Sequence, residues 1–403
     1  MENPGARGAA ARSGSLLAAL CGELRRPDPA SGDASDLAFI LVGNERASMS
    51  GRDRAALAWA LVGRLGMAAA NEYDHCSAIC ALSLLASPDI CGILTQPGTL
   101  AGVVRMLQSR ETEPEAKQSC LEVLTAACNA PGGPGVATQL CAQRNALTAL
   151  LALLWPAGGG ASALESNVLG LIDTLERHAW TAYADALARE PAAMPAAVRL
   201  FAADNTLVCI TGLSCVAVVC EGARDKRRAA TAALAAAAER DPRVLQGLTK
   251  GLTFEGSDLS ADGFADTSSI AARARHCAAI CAACLSGHSP AAAARCVGTP
   301  GLLEGLAAVV AQRRAALDCG EGRTTTVSHA AVALNALVER VGTGPAAALV
   351  QRAPGLAVHV EALAPPSPDA ARLAEWLRGA QAELERQAQQ EQEAQHEAQR
   401  QQQ

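Results

Sequence analysis

Apolar positions return along this chain in lines that repeat. Leu100–Leu107 reads "LAGVVRML", Leu147–Leu154 "LTALLALL" and Met194–Phe201 "MPAAVRLF". Their starts, at 100, 147 and 194, are two equal steps of 47 apart. The same register finds Leu57–Arg64 "LAWALVGR" upstream, and Leu245–Leu252 "LQGLTKGL", Leu303–Val310 "LEGLAAVV" and Leu356–Leu363 "LAVHVEAL" downstream. The later steps lengthen to 51, 58 and 53, as expected where loops between helices accept insertions. A second line recurs as well: Asp74–Ala81 "DHCSAICA" and Arg275–Ala282 "RHCAAICA" agree at six of eight positions. Around it, Glu115–Ala130, Glu165–Arg177 and Thr326–Arg340 place apolar residues three and four apart, which predicts amphipathic helices with one buried stripe. A fixed period of this length is the signature of a repeat array whose units bury their cores against one another.

Between the two lines lies a short segment that closes on Pro-Gly: "SPDICGILTQPG", "SPAAAARCVGTPG", "GPAAALVQRAPG". Proline opens a short helix because its missing N–H is not needed there, and the Pro-Gly forces a break before the next helix. Short helix, Pro-Gly or Asn-Ala corner, middle helix, loop and long helix together resemble the armadillo repeat. The residues that carry the resemblance are "PGTLAGVVRML" (Pro97–Leu107), "CALSLLASP" (Cys80–Pro88) and "ACNAPGGPG" (Ala127–Gly135), within a span from Ala55 to Glu385. It implies an all-α chain, a right-handed superhelical α-solenoid of about seven armadillo-like repeats. HEAT-like packing stays open for Lys226–Leu252, where one helix is expected to run straight into "DPRVLQGL".

By that resemblance the third helices line a concave face that binds extended peptides or partner domains. Peptide-binding armadillo arrays repeat a Trp and, one turn later, an Asn on this helix. Here the Asn slot reads Leu84, Asn129, Glu176, Leu285 and Ala336, with Asn335 one position off register; the Trp slot reads Cys80, Thr125, Ile172, Cys281 and Val332. Trp376 is the one Trp in a comparable context. The missing ladder argues against reading nuclear-import signals and for a groove that takes a folded partner or a helix. Asn129, Asp173 and Glu176 are the candidate polar part of that groove.

Composition agrees with helices. Aromatics are 2% of 403 residues, and small, Leu- and Ala-rich cores suit helix-on-helix layers. The net charge of −6 argues against nucleic acid as a partner. The one basic knot, Arg224, Lys226, Arg227 and Arg228 around Asp225, reads as a solvated helix start. The 15 cysteines sit mostly in apolar helical runs, and Met1–Gly14 has no apolar signal core. A reducing, cytoplasmic setting is expected, with nucleus or cilium as alternatives. The run Leu207–Cys220 is shorter than a membrane span and reads as a buried helix.

The expected organisation is a capping helix (Leu16–Arg25) and linker over 1–35, the array over 36–385, and a polar tail over 386–403, frayed or disordered. The stripe of the last packed helix is expected to be Leu373, Trp376, Leu377, Ala380 and Leu384. An acidic insert, 253–270, interrupts the array. Within it Asp258, Ser260, Asp262, Gly263 and Asp266 match five positions of an EF-hand loop, but Ser269 stands where a bidentate Glu is needed. An exposed loop, an acidic-aromatic docking loop and a calcium loop all stay open for it. His276, Cys277, Cys281 and Cys284 offer zinc-ligand types on one helix, as do His75, Cys76 and Cys80. His276 and Cys277 point about 100° apart, so buried cysteines and a helix-start histidine are the simpler reading.

No Gly-x-Ser-x-Gly or Walker loop occurs, and the seven histidines are scattered. The expectation is therefore a non-catalytic protein-interaction scaffold or adaptor with no cofactor, no metal and no small-molecule substrate, partnered by one or more proteins. The alternatives are a regulatory cofactor of another protein, in the manner of a chaperone cofactor or nucleotide-exchange factor, and a structural subunit of a cytoskeletal or ciliary assembly.

Overall fold

The computed structural model describes residues 13–26, 32–45, 49–67, 72–85, 90–96, 98–155, 163–255, 267–311, 326–353, 356–361 and 368–402. Among them, every regular element is helical. The chain divides into two compact units, Met1–Ala193 and Met194–Gln403.

Unit 1 holds α1 (Gly14–Leu24), α2 (Gly32–Glu45), α3 (Gly51–Leu65), α4 (Glu72–Leu85), α5 (Ile90–Leu94), α6 (Thr99–Gln108), α7 (Pro114–Asn129), α8 (Gly133–Ala142), α9 (Ala146–Leu153) and α10 (Ala163–Arg189). These stack in ladders. The long third helices α2, α4, α7 and α10 pack in succession, and so do the middle helices α3, α6 and α9. The short first helices α5 and α8 pack behind them. Each long helix buries the side chains of its apolar stripe, for example Cys120, Leu121, Leu124 and Cys128 on α7.

Unit 2 takes up α11 (Ala193–Arg199) and a 3-10 turn (Leu200–Ala202), then α12 (Thr206–Cys220), α13 (Arg224–Arg240), α14 (Arg243–Thr253) and α15 (Thr267–Ser286). It closes with α16 (Pro290–Gly298), α17 (Leu302–Ala311), α18 (Thr326–Val341), α19 (Thr343–Arg352), α20 (Leu356–Glu361) and α21 (Pro368–Gln402). Here α12, α15, α18 and α21 form the long ladder, and the 3-10 turn, α14, α17 and α20 the middle one. Helix α12, the apolar run Leu207–Cys220, is buried nearly all round.

The corners sit where the sequence places them. Gly98, Gly132 and Gly301 take positive φ of 85°, 87° and 77°, each directly after a proline, and Asn145 does the same at 59°. Only glycine and, less readily, asparagine enter this region without a steric penalty, so Gly98, Asn145 and Gly301 turn the chain from first to middle helix and Gly132 turns it from the third helix α7 to the first helix α8. At Gly301 the two helices meet at 86°.

The middle-helix line has a second requirement at its third position. A Cβ on Gly102 would stand 2.3 Å from the Leu65 carbonyl oxygen, and one on Gly247 would stand 2.2 Å from that of Phe201. Each glycine lets its helix touch the backbone of the preceding middle element, which fixes the spacing of the stack.

Several expectations are corrected. Helix α2 begins at Gly32, inside the segment expected as linker. Lys226–Leu252 is not one straight helix: Asp241 leaves helical geometry and Pro242 starts α14, giving the separate first and middle helices that armadillo-like packing uses. The stretch beyond Arg177 belongs to the same 27-residue helix as Glu165, with a break at Ala179 (φ −140°, ψ 36°). The helical stretch after the break packs as a first helix against α8, so α10 is two repeat elements joined without a loop. On α21, Leu373, Leu377 and Ala380 of the expected stripe are buried, joined by Ala370 and Ala374, but Trp376 lies off it at 38% exposed. That helix continues to Gln402, and its described side chains past Leu384 are exposed. Of the acidic insert, 256–266 lie outside the described residues, and with them most of the calcium-loop positions.

Candidate functional site

The third-helix ladder of unit 1 presents one solvent-facing surface. On α7 the stripe opposite the core carries Gln118, Glu122 and Asn129, and Gln118 Nε2 donates to Glu122 Oε1 at 2.9 Å. Asn129 is exposed at the last turn, where its Nδ2 donates to the Thr125 carbonyl at 3.0 Å. That bond leaves the side-chain oxygen and the second N–H for another partner. On α10, Asp173 is part-exposed and ion-paired with Arg177 one turn on, and Glu176 is part-exposed beside it. Because α7 packs on α10, the three expected groove residues lie on neighbouring rungs. Asn335, the off-register asparagine, is instead buried in unit 2, donating to Glu339 at 3.2 Å and to Asp369 at 3.4 Å.

The same ladder shows exposed apolar residues, of which the sequence register named only Leu84, in the Asn slot. Phe39 and Ile40 on α2 are 42% and 43% exposed, Tyr73 on α4 is 66% exposed and Leu84 is 37% exposed. They are joined across the rungs. Ser77 Oγ donates to Asp36 Oδ1 at 2.6 Å, and the charge and hydrogen bond of Asp36 push the Tyr73 phenol above its usual range. A Cβ on Gly43 of α2 would lie 3.7 Å from Leu84 Cδ1, so those two faces touch. The surface thus runs from an apolar, aromatic end on α2 and α4 to a polar, charged end on α7 and α10. Large apolar side chains left in water on adjacent elements are a mark of interaction surfaces. Their signal in the sequence was faint: Tyr73 and Leu84 simply fall off the stripe that buries Ile79 and Leu82.

In unit 2 the ladder is grooved rather than flat. A groove of about 930 Å³ is lined by Cys220 at the end of α12, Arg227 and Thr231 on α13, Cys284 on α15 and His329 on α18. Arg227 Nε donates to the Cys220 carbonyl, which caps α12. His276, next to the groove, meets Thr326 Oγ1 through Nδ1 at 3.1 Å and lies 3.6 Å from Glu221 Oε1 through Nε2. Its ring stands edge-on to that of His329 at 5.7 Å. Burial and the neighbouring His276 lower His329 to about 4. Of the proposed zinc-ligand types, Cys281 is fully buried and its thiol donates to the Leu213 carbonyl at 3.7 Å. Among the described residues no three His, Cys, Asp or Glu side chains converge as metal ligands, and no single helix is long and apolar enough to cross a membrane.

No family model and no curated sequence matches the chain. Among solved structures it is similar to an engineered protein at 13% identity, with 94% of this chain and 99% of that one covered and a TM-score of 0.41. It is also similar to a designed armadillo repeat protein at 17% identity, with coverages of 70% and 99% and a TM-score of 0.39. A third is a designed armadillo repeat protein in complex with the peptide (KR)4, 16% identical, with coverages of 70% and 98% and a TM-score of 0.39. The fold is armadillo-like. What carries that statement is internal to the chain: three-helix units, Pro-Gly corners in the left-handed region, and parallel ladders of like helices.

Proposed function

We propose that this chain is a non-catalytic protein-interaction scaffold or adaptor, working in a reducing, cytoplasmic setting, that binds a partner protein along the third-helix face of unit 1. The observation that supports it is the pairing of solvent-exposed Phe39, Ile40, Tyr73 and Leu84 with the polar Asn129, Asp173 and Glu176 on one ladder. Interfaces combine apolar and aromatic anchors with a polar rim, and this face offers both. The absence of the peptide-type Trp and Asn ladder favours a folded or helical partner over an extended peptide.

The test is co-purification from native lysate with two baits, the intact chain and a variant carrying Asn129→Arg, Asp173→Arg and Glu176→Arg. All three residues are on the surface, so the variant keeps the helical circular dichroism of the parent. A partner held by the parent and lost by the variant supports the assignment. Partners held equally by both would remove it. Adding the chain to a recovered enzyme separates the scaffold from a regulatory cofactor: a scaffold leaves its turnover unchanged.

A further inference from the structure

The groove of unit 2 contains two thiols that come from different helices. Cys220 is the last residue of α12, and Cys284 lies in the last turn of α15; the two helices pack along the third-helix ladder. Both side chains are thiols and both line the groove, Cys220 buried behind and Cys284 part-exposed in front. Each thiol is the largest single influence on the titration of the other.

The surroundings favour charge on one sulfur only. The neighbouring Cys220 thiol holds the Cys284 thiol below its ordinary range against the opposing effect of burial, helped by the positive charge of Arg227. Arg227 is fixed there by its bond to the Cys220 carbonyl. Cys220 is pushed the other way. Thiols in the apolar core behave differently: burial pushes Cys141 and Cys296 up to about 12 and Cys209 up to about 11. A reactive thiol needs thiolate character, access and a second thiol nearby to resolve its oxidised form, and Cys284 has all three.

We propose that Cys284 is a hydroperoxide-reactive modification site and that Cys220 resolves it, so that α12 and α15 can be joined by a reversible disulfide. The Cys284 thiolate attacks one oxygen of hydrogen peroxide; the S–O bond forms, the O–O bond breaks, and the hydroxide released takes up a proton. The Cys220 sulfur then attacks the resulting sulfenic acid, losing its proton as water leaves. Two thiols and one peroxide become one disulfide and two waters. A small dithiol reductant returns both thiols by exchange. This site lies within unit 2, and its chemistry is read on the isolated chain with no partner present.

The experiment uses the reduced full chain, treated with limiting hydrogen peroxide at neutral pH, quenched with iodoacetamide and mapped by mass spectrometry without reduction. The expected result is a linked peptide pair joining Cys220 to Cys284, formed roughly tenfold or more faster than oxidation of Cys141 or Cys296, and reversed by dithiothreitol. With Cys220→Ser the disulfide disappears, and dimedone traps the sulfenic acid on Cys284. Oxidation of Cys284 no faster than that of Cys141, or disulfides that bypass Cys220, would overturn the proposal. The mapping of the unmodified chain decides this even if a variant folds poorly.

Discussion

The two units contain nearly the same octapeptide, "DHCSAICA" from Asp74 on α4 and "RHCAAICA" from Arg275 on α15, and they wire it differently. The apolar positions behave alike: Ala78 and Ile79 in unit 1, and Ala279 and Ile280 in unit 2, are all buried. The polar positions do not. In unit 1 the first residue, Asp74, is fully buried and paired at 2.7 Å with Arg64 of α3, which also donates to the Arg26 carbonyl at 2.9 Å. His75 is only half-buried and meets the Met67 carbonyl at 3.2 Å. In unit 2 the first residue, Arg275, reaches back to its own helix at Ala271, and the second, His276, is the buried one between Thr326 and Glu221. A few residues on, Ser83 in unit 1 donates to the Cys80 carbonyl, whereas Cys284 in unit 2 meets Cys220. The repeat dictates which stripe is apolar. The neighbouring helices decide which polar residue is drawn inside and what it does there.

The largest expected effect comes from the first position. Asp74→Ala leaves the Arg64 guanidinium buried without its counter-charge and should cost about 3–5 kcal/mol in urea unfolding. If it cost no more than an ordinary surface change, the contrast between the units would collapse.

Acid should act next, through His329 of unit 2. His329 is held at about 4, below the value of about 6.5 expected in an unfolded chain. Between those values the unfolded state binds the extra proton, so stability present above about pH 6.5 is lost as the pH falls toward 4. The loss is ~1.4 kcal/mol per pH unit, on the order of 3 kcal/mol in all. Amide exchange in α15 and α18 followed across this range should rise, and His329→Gln should flatten the rise. An unchanged slope would show that His329 does not carry it.

Two smaller changes test what the units share. Gly102→Ala and Gly247→Ala place a methyl against a carbonyl oxygen in either unit, and each should destabilise its own unit by about 1–3 kcal/mol. Unequal costs would mean that the middle-helix spacing is not common to both. The smallest effect is expected for Arg275→Ala, within about 0.5 kcal/mol, because the side chain keeps contact with solvent.

Much of this fold is legible in the sequence because its corners demand particular residues. Pro97-Gly98, Pro131-Gly132, Pro300-Gly301 and Asn145 mark left-handed turns that few other residues make. The apolar lines then give the helices on either side. The break at Ala179 left no such mark, since alanine neither requires nor forbids it, and the joined third and first helices of α10 read as one. Site residues were harder. Asn129 and Glu176 follow from register and Asp173 lies three residues before Glu176, and the structure sets them on neighbouring helices with solvent access. Leu84 shares the register slot of Asn129 and Glu176, but Tyr73 looks like an ordinary apolar residue until the burial of α4 is known. Cys284 stood out as one of four zinc-type residues on its own helix, but its partner Cys220 comes from α12, and no spacing rule links residues on separate helices.

The central claim is that the third-helix face of unit 1 is where a partner sits. Its most direct test is hydrogen exchange of the full chain, alone and saturated with the partner recovered by co-purification. The account predicts added protection concentrated in α4, α7 and α10, around Tyr73, Leu84, Asn129 and Asp173, with α13, α16 and α19 unchanged. Protection confined to unit 2, or to the first and middle helices of unit 1, would contradict it.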